Sequence, residues 1–118
     1  MKIQELKIQL KKKKFIERIF SKQEIYQSKK IKNKANFFAK RFAAKEAFVK
    51  SIGIGFRNGI NFRDISVINN SLGKPKLFVN KQIKNFINRK FQTKKIKISL
   101  SLADEKNHSI AFVVLGKK

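Results

Sequence analysis

The stretch that most constrains this chain runs from residue 35 to residue 53, ANFFAKRFAAKEAFVKSIG. Alanine, lysine and glutamate are strong helix formers, and Phe38, Phe42, Val49 and Ile52 recur at steps of three to four residues. Gly53 stands where such a helix would stop. The spacing therefore predicts one long helix with an apolar side, which the rest of the chain must cover. The same helix carries two pairs of ionisable residues at i and i+4, Arg41 with Lys45 and Glu46 with Lys50, on adjacent strips of its surface.

The remainder divides at clear signals. FIERIF has helical spacing, and SKQE at 21–24 reads as a capping box opening a second short helix. Residues 33–36 read as a break before the long helix. After the glycines the period changes: INFRDISVIN alternates apolar with polar residues, NNSLGKP supplies turn chemistry, and KLFV completes a hairpin. NKQIKNFINRKF returns to helical spacing through Ile83, Phe86, Ile87 and Phe91. Two last strands, KIKISLSL and SIAFVVL, flank the polar turn ADEKNH. The expected class is α+β, with a small antiparallel sheet packed against the long helix and residues 1–118 as a single domain.

Composition narrows the chemistry. Twelve phenylalanines and 42 % apolar residues argue for a packed core despite a net charge of +23. With no cysteine and one histidine, His108, neither a disulfide framework nor a Cys- or His-rich metal site is available. No apolar run approaches the roughly 20 residues of a membrane span, and the N-terminus lacks a signal-peptide core, so a cytoplasmic setting is expected. The basic run at 11–14 reads as a solvated helix face or loop. Thirty basic against seven acidic residues draw anions of any kind, although some lysines fit the bias of an AT-rich genome.

Glu46 is the sole acidic residue between Glu24 and Asp64. Spacing alone favours a surface salt bridge with Lys50. The alternative is a carboxylate holding a divalent metal beside a phosphate whose remaining charge is met by nearby cations. GIGFRNG then offers backbone N–H groups unobstructed by Cβ atoms, an arrangement suited to a phosphate and equally to a plain turn.

At this point the residues resemble a known family. NFFAKRFAAKEAFVKSIGIGFRNGINFRDISVINNSLGKPKLFV is similar to the core of bacterial holo-(acyl carrier protein) synthases, within the 4′-phosphopantetheinyl transferase superfamily. The shared pattern is R-F-A-x-K-E-A at residues 41–47, Lys50, the G-x-G of Gly53 to Gly55, and G-K-P at 73–75. SLSLADEKNHSIAFVVL also resembles the family's last hairpin, so the likeness extends over about residues 15–116. It implies transfer of the phosphopantetheine arm of coenzyme A to a serine of apo-acyl carrier protein, releasing 3′,5′-ADP, in fatty acid biosynthesis. It further implies that Glu46 is a Mg²⁺ ligand and that Lys50 contacts phosphate or helps activate the serine. Arg41, Lys45, Gly53 and Gly55 would line the coenzyme A site, with Lys74 and Pro75 near the nucleotide.

Two departures bear on that reading. The family opens with a strand ending in a G-x-D-I-V-E-like motif whose aspartate is a second metal ligand, and no such aspartate occurs here. MKIQELKI begins at about that position, so a start upstream of Met1 is expected, with a degenerate member as the other reading. The second departure is Asp104, where many members carry histidine and some carry LADE, as residues 102–105 do. Its carboxylate could accept the serine proton or serve only as a turn residue. His108 reads as structural.

The resemblance implies an acidic carrier protein as partner, met by Lys7, Lys11 and Arg18, and a homotrimer in which Phe62 and Phe112 serve subunit contacts. Membrane and nucleic acid are not expected partners. The rival classes are an inactive truncated paralogue and a small RNA-binding protein. The latter accounts for the charge but leaves Glu46, G-x-G and G-K-P unexplained.

Overall fold

The computed structural model describes residues 11–53, 61–105 and 108–117. Two short helices lead, α1 (Lys13–Ile19) and α2 (Lys22–Ser28). Between them Ser21 and Glu24 form the expected capping box: the Glu24 amide donates to Ser21 Oγ at 3.2 Å, and the Ser21 amide donates to Glu24 Oε1 at 2.9 Å. Lys11 to Lys14 are all exposed.

The long helix, α3, spans Lys34–Ile52. Asn33 caps its start by accepting from the Asn36 amide at 3.0 Å. Gly53 ends it in the left-handed region at φ 69°, where a side chain would be strained. At ~1.5 Å per residue the helix is about 28 Å long, enough to serve two cores in succession. Its first half buries Phe37, Phe38, Ala39 and Phe42 with Phe20 from the α1–α2 junction. The Phe20 and Phe38 ring centroids lie 4.4 Å apart. Its second half buries Ala44, Phe48 and Ile52 against Ile65, Val67, Leu77, Ile83 and Ile87. Val49, expected on the apolar face, is half-buried at the edge of this second cluster. Phe62 touches both clusters and stacks edge-on to Phe42 at 5.4 Å. It is half-buried and packs within the chain.

The two expected hairpins form two separate sheets rather than one small sheet. A 3₁₀ turn at Phe62–Asp64 leads into β1 (Ile65–Asn69), which pairs antiparallel with β2 (Pro75–Val79). The turn between them is held by Asn70, whose Oδ1 accepts from the amides of Leu72 and Lys74, and by Gly73 at φ 81°. Helix α4 (Lys81–Lys90), capped by Asn80, follows and buries Ile83 and Ile87. Phe91, expected on its apolar face, is more than a third exposed. Strands β3 (Ile96–Glu105) and β4 (His108–Lys117) then pair along their whole length. The polar segment expected as their turn is mostly strand, because Ala103, Asp104 and Glu105 pair with Ile110, Ser109 and His108.

Strand β1 has a second edge that no strand covers among the described residues. Side chains of α2 take that place. Glu24 Oε2 accepts from the Val67 amide at 3.0 Å, while Gln27 both accepts from the Asn69 amide at 3.2 Å and donates to the Asn69 carbonyl at 3.3 Å. Residues three apart on a helix thus satisfy residues two apart on a strand, and the edge is closed against pairing with another chain. No described helix is long and apolar enough to cross a membrane.

Candidate active site on the long helix

The ionisable residues of α3 separate into two strips with different surroundings. Lys45 is wholly buried. Its ammonium has three protons to donate, and three acceptors meet them: the Glu24 carboxylate, the Ile19 carbonyl at 2.8 Å and the Phe62 carbonyl at 3.0 Å. Burial pushes its pKa down from 10.5 to about 8, against the pull of Glu24. Arg41, one turn earlier, is also buried. Its guanidinium lies 3.5 Å above the Phe37 ring, donates to the Phe37 carbonyl at 3.1 Å and to Asn69 Oδ1 at 3.2 Å, and is pushed by burial to about 10.

The expectation that Arg41 and Lys45 line a coenzyme A site therefore gives way to an interior role in the protomer. The reason is physical. Helix α3 is covered on most of its circumference, and Glu24 and Asn69 present ready-made acceptors to the strip facing α2 and β1. The motif spacing gave no sign of those partners, which lie 21 and 28 residues away.

Glu46 and Lys50 occupy the other strip, with Glu46 half-buried and Lys50 exposed. Lys50 lies in the last turn, where a cation also complements the helix dipole. Just beyond it, Lys90 of α4 reaches over and donates to the Ile52 carbonyl. The Lys90 nitrogen sits 2.5 Å from where a Cβ on residue 53 would stand, so both backbone angle and space favour glycine there. Gly55 lies outside the described residues.

Other expected site residues lie apart from this strip. Lys74 precedes β2 and Pro75 opens it; both line a groove of about 810 Å³ with Lys76, Lys84, Lys94, Lys97 and several apolar residues. Neither Glu46 nor Lys50 is in its lining. Asp104, near the tip of β3, pairs with Lys40 at 3.1 Å and accepts from Ser109 Oγ at 3.4 Å. Partial burial pushes its carboxyl up, but hydrogen bonds from Asn36, Lys40 and Ser109 outweigh that and hold it below 3.8. Lys40 precedes Glu46 by six residues, about 9 Å along the helix axis, so within one protomer Asp104 is tied to the opposite half of α3 from Glu46.

Sequence spacing missed three of the residues that organise this region. Glu24 was visible only as a capping residue, whereas Lys40 and Lys90 were two lysines among many. Among the described residues no three His, Cys, Asp or Glu side chains gather into a metal cage. A single carboxylate still suits Mg²⁺, which commonly takes one or two carboxylates and completes its shell with water and substrate phosphate.

Comparison with known proteins decides the family. The model of the 4′-phosphopantetheinyl transferase superfamily matches residues 1–113. The chain belongs to that superfamily. Over 104 residues it is 52 % identical to a Pelagibacter ubique protein named holo-[acyl-carrier-protein] synthase, covering 88 % of this chain and 81 % of that one. The crystal structure of the holo-[acyl-carrier-protein] synthase from Neisseria meningitidis superposes with a TM-score of 0.86 at 32 % identity, over 99 % of this chain and 93 % of that one. The Bacillus anthracis enzyme in complex with CoA (3′,5′-ADP) gives 0.79 at 31 % identity, over 100 % and 91 %.

Proposed function

We propose that this protein transfers the 4′-phosphopantetheine group of coenzyme A to a serine of apo-acyl carrier protein, giving holo-acyl carrier protein and 3′,5′-ADP for fatty acid biosynthesis in the cytoplasm. The observation that carries the reading is the 52 % identity to a holo-[acyl-carrier-protein] synthase along most of both chains. Relatives of similar fold from Bacillus anthracis and Helicobacter pylori have been captured with coenzyme A or its nucleotide portion, and the chain's +23 charge suits both a polyanionic donor and an acidic carrier.

In this reaction the serine oxygen bonds to the phosphorus bearing the pantetheine arm. The bridging P–O bond breaks, and its electron pair leaves on 3′,5′-ADP. Glu46 is the residue that would hold Mg²⁺, which when bound supplies neutralisation of the diphosphate charge. Lys50, four residues on and exposed, meets the phosphate oxygens. Gly53, with Gly55 by the family pattern, serves the diphosphate, and Lys74 and Pro75, in the lining of the groove, hold the nucleotide.

Asp104 accepts the serine proton, and its pairing with the far half of α3 supports a site completed by another subunit. Phe112 and Val114 support a homotrimer: they project from one face of β4 and are 64 % and 62 % exposed in the protomer. Lys11 and Arg18, both exposed on or beside α1, serve the carrier; Lys7 lies outside the described residues.

The test is transfer from labelled coenzyme A to apo-acyl carrier protein with Mg²⁺ and after chelation. The reading expects a label on the carrier serine that depends on Mg²⁺. Absence of label with every partner folded and metal present would contradict it.

A further inference from the structure

We infer that Lys45 and Arg41 are positioning residues, whose buried contacts set the rotation of α3 about its own axis and so aim Glu46. This inference rests on the function proposed above. Lys45 and Glu46 are consecutive, so on a helix their side chains leave the axis about 100° apart. Wherever Lys45 is pinned, the direction of Glu46 is fixed with it.

The pinning is unusually complete. The Lys45 ammonium holds the carbonyl of Ile19 at the end of α1, the carboxylate of Glu24 on α2 and the carbonyl of Phe62 just before β1. Glu24 in turn grips the Val67 amide inside β1 at 3.0 Å. One turn away, Arg41 reaches Asn69 at the end of the same strand at 3.2 Å, and Gln27 of α2 holds the Asn69 backbone from the other side. Helix α3 is thereby tied to three elements by directional bonds along one strip.

These bonds add a directional constraint to the apolar contacts of the helix. Close packing of alanine and phenylalanine surfaces limits the roll of the helix, but the hydrophobic drive behind it is non-directional. Hydrogen bonds weaken steeply as they bend away from linearity. The consequence for chemistry is large: a carboxylate ~6 Å from the helix axis moves about 1–2 Å in a roll of 10–20°, and misplacement of about 1 Å can lower a rate about 100-fold.

The experiment compares the wild type with the double variant Lys45→Met/Glu24→Gln. This variant removes both charges while keeping similar volume, and the single carboxamide oxygen accepts from either the Val67 or the Ser21 amide, which Glu24 holds with separate oxygens. Each protein is checked for folding by circular dichroism, its coenzyme A affinity is measured by calorimetry, and kcat and KM for coenzyme A are measured for carrier loading. The positioning role predicts a folded double variant that binds coenzyme A within about 2-fold of wild type, with kcat lowered at least about 10-fold and KM little changed. A KM and Kd raised at least about 10-fold with kcat retained would overturn it by making Lys45 a ligand of coenzyme A. Unchanged kcat and KM would overturn it by leaving the seam a matter of folding alone. Should the double variant not fold, Asn69→Ala cuts only the Arg41 end of the seam; the same fall in kcat at constant KM is expected, smaller in size, and unchanged kinetics count against the role. A wild type that neither binds coenzyme A nor loads the carrier defeats the functional reading instead, and the two failures are thus told apart.

Discussion

Two strips of one helix, about 100° apart, carry the same kinds of residue and have opposite fates. On one, Arg41 and Lys45 are buried, with the three Lys45 donors satisfied by fixed acceptors. On the other, Glu46 is half-buried and Lys50 exposed. A charge kept in the interior must be paired and hydrogen-bonded to be tolerated, and the first strip meets that demand with partners from α1, α2 and the segment entering β1. A charge meant for a substrate must remain reachable. The R-F-A-A-K-E-A motif therefore places an anchored cation, Lys45, directly beside Glu46, the residue to which the proposed function gives the chemistry.

The sharpest break of this contrast swaps which strip is damaged. Lys45→Met leaves the Glu24 carboxylate buried without its cation and should cost about 3–5 kcal/mol of stability, read as a large fall in the midpoint of urea unfolding. Glu46→Gln, one residue away and half-buried, should cost far less, since it keeps the side-chain volume and removes no buried counter-ion.

A smaller effect is expected at the end of the helix, where the strips meet the chain reversal. Gly53→Ala forces a side chain into the left-handed region and displaces the Lys90 ammonium from the Ile52 carbonyl. About 1–2 kcal/mol should be lost, and a control at exposed Ser51 should lose far less.

The smallest effect concerns Asp104. Its folded pKa lies below 3.8, so the folded state binds its proton less readily than the unfolded chain. The stabilisation this brings is present above pH 3.8 and is lost as pH falls through the lower folded value. Asp104→Asn should therefore flatten the acid limb of the stability profile below about pH 4, by no more than about 1 kcal/mol for so exposed a pair.

Much of the fold was legible because its signals are local. Ser21 and Glu24 are three residues apart, Gly53 follows directly on the helical period, and Asn70 to Lys74 carry turn chemistry in one short run. Each of these stood where the sequence placed it. The length of the last hairpin was misjudged because Ala103, Asp104 and Glu105 look like turn residues, and only their pairing with residues 108–110 makes them strand. Both hairpins were legible, but not their separation into two sheets, nor that among the described residues α2 side chains take the free edge of β1.

For the site, Glu46 is half-buried and Lys50 exposed on the strip where the i,i+4 spacing put them together. The burial of Arg41 and Lys45 was not legible, because a cation's partner 21 or 28 residues away leaves no periodic trace. Glu24 illustrates the point most directly: it caps α2 locally, and its second oxygen and the Lys45 pair are purely tertiary.

The most direct test of the account is the rate at which Glu46→Gln loads apo-acyl carrier protein from coenzyme A at saturating Mg²⁺, under conditions where it is as folded as wild type. The account predicts a loss of at least about 100-fold, in line with removal of a group that stabilises transition-state charge. Loading within a few-fold of wild type would contradict it and leave the reachable strip of the long helix without its assigned chemistry.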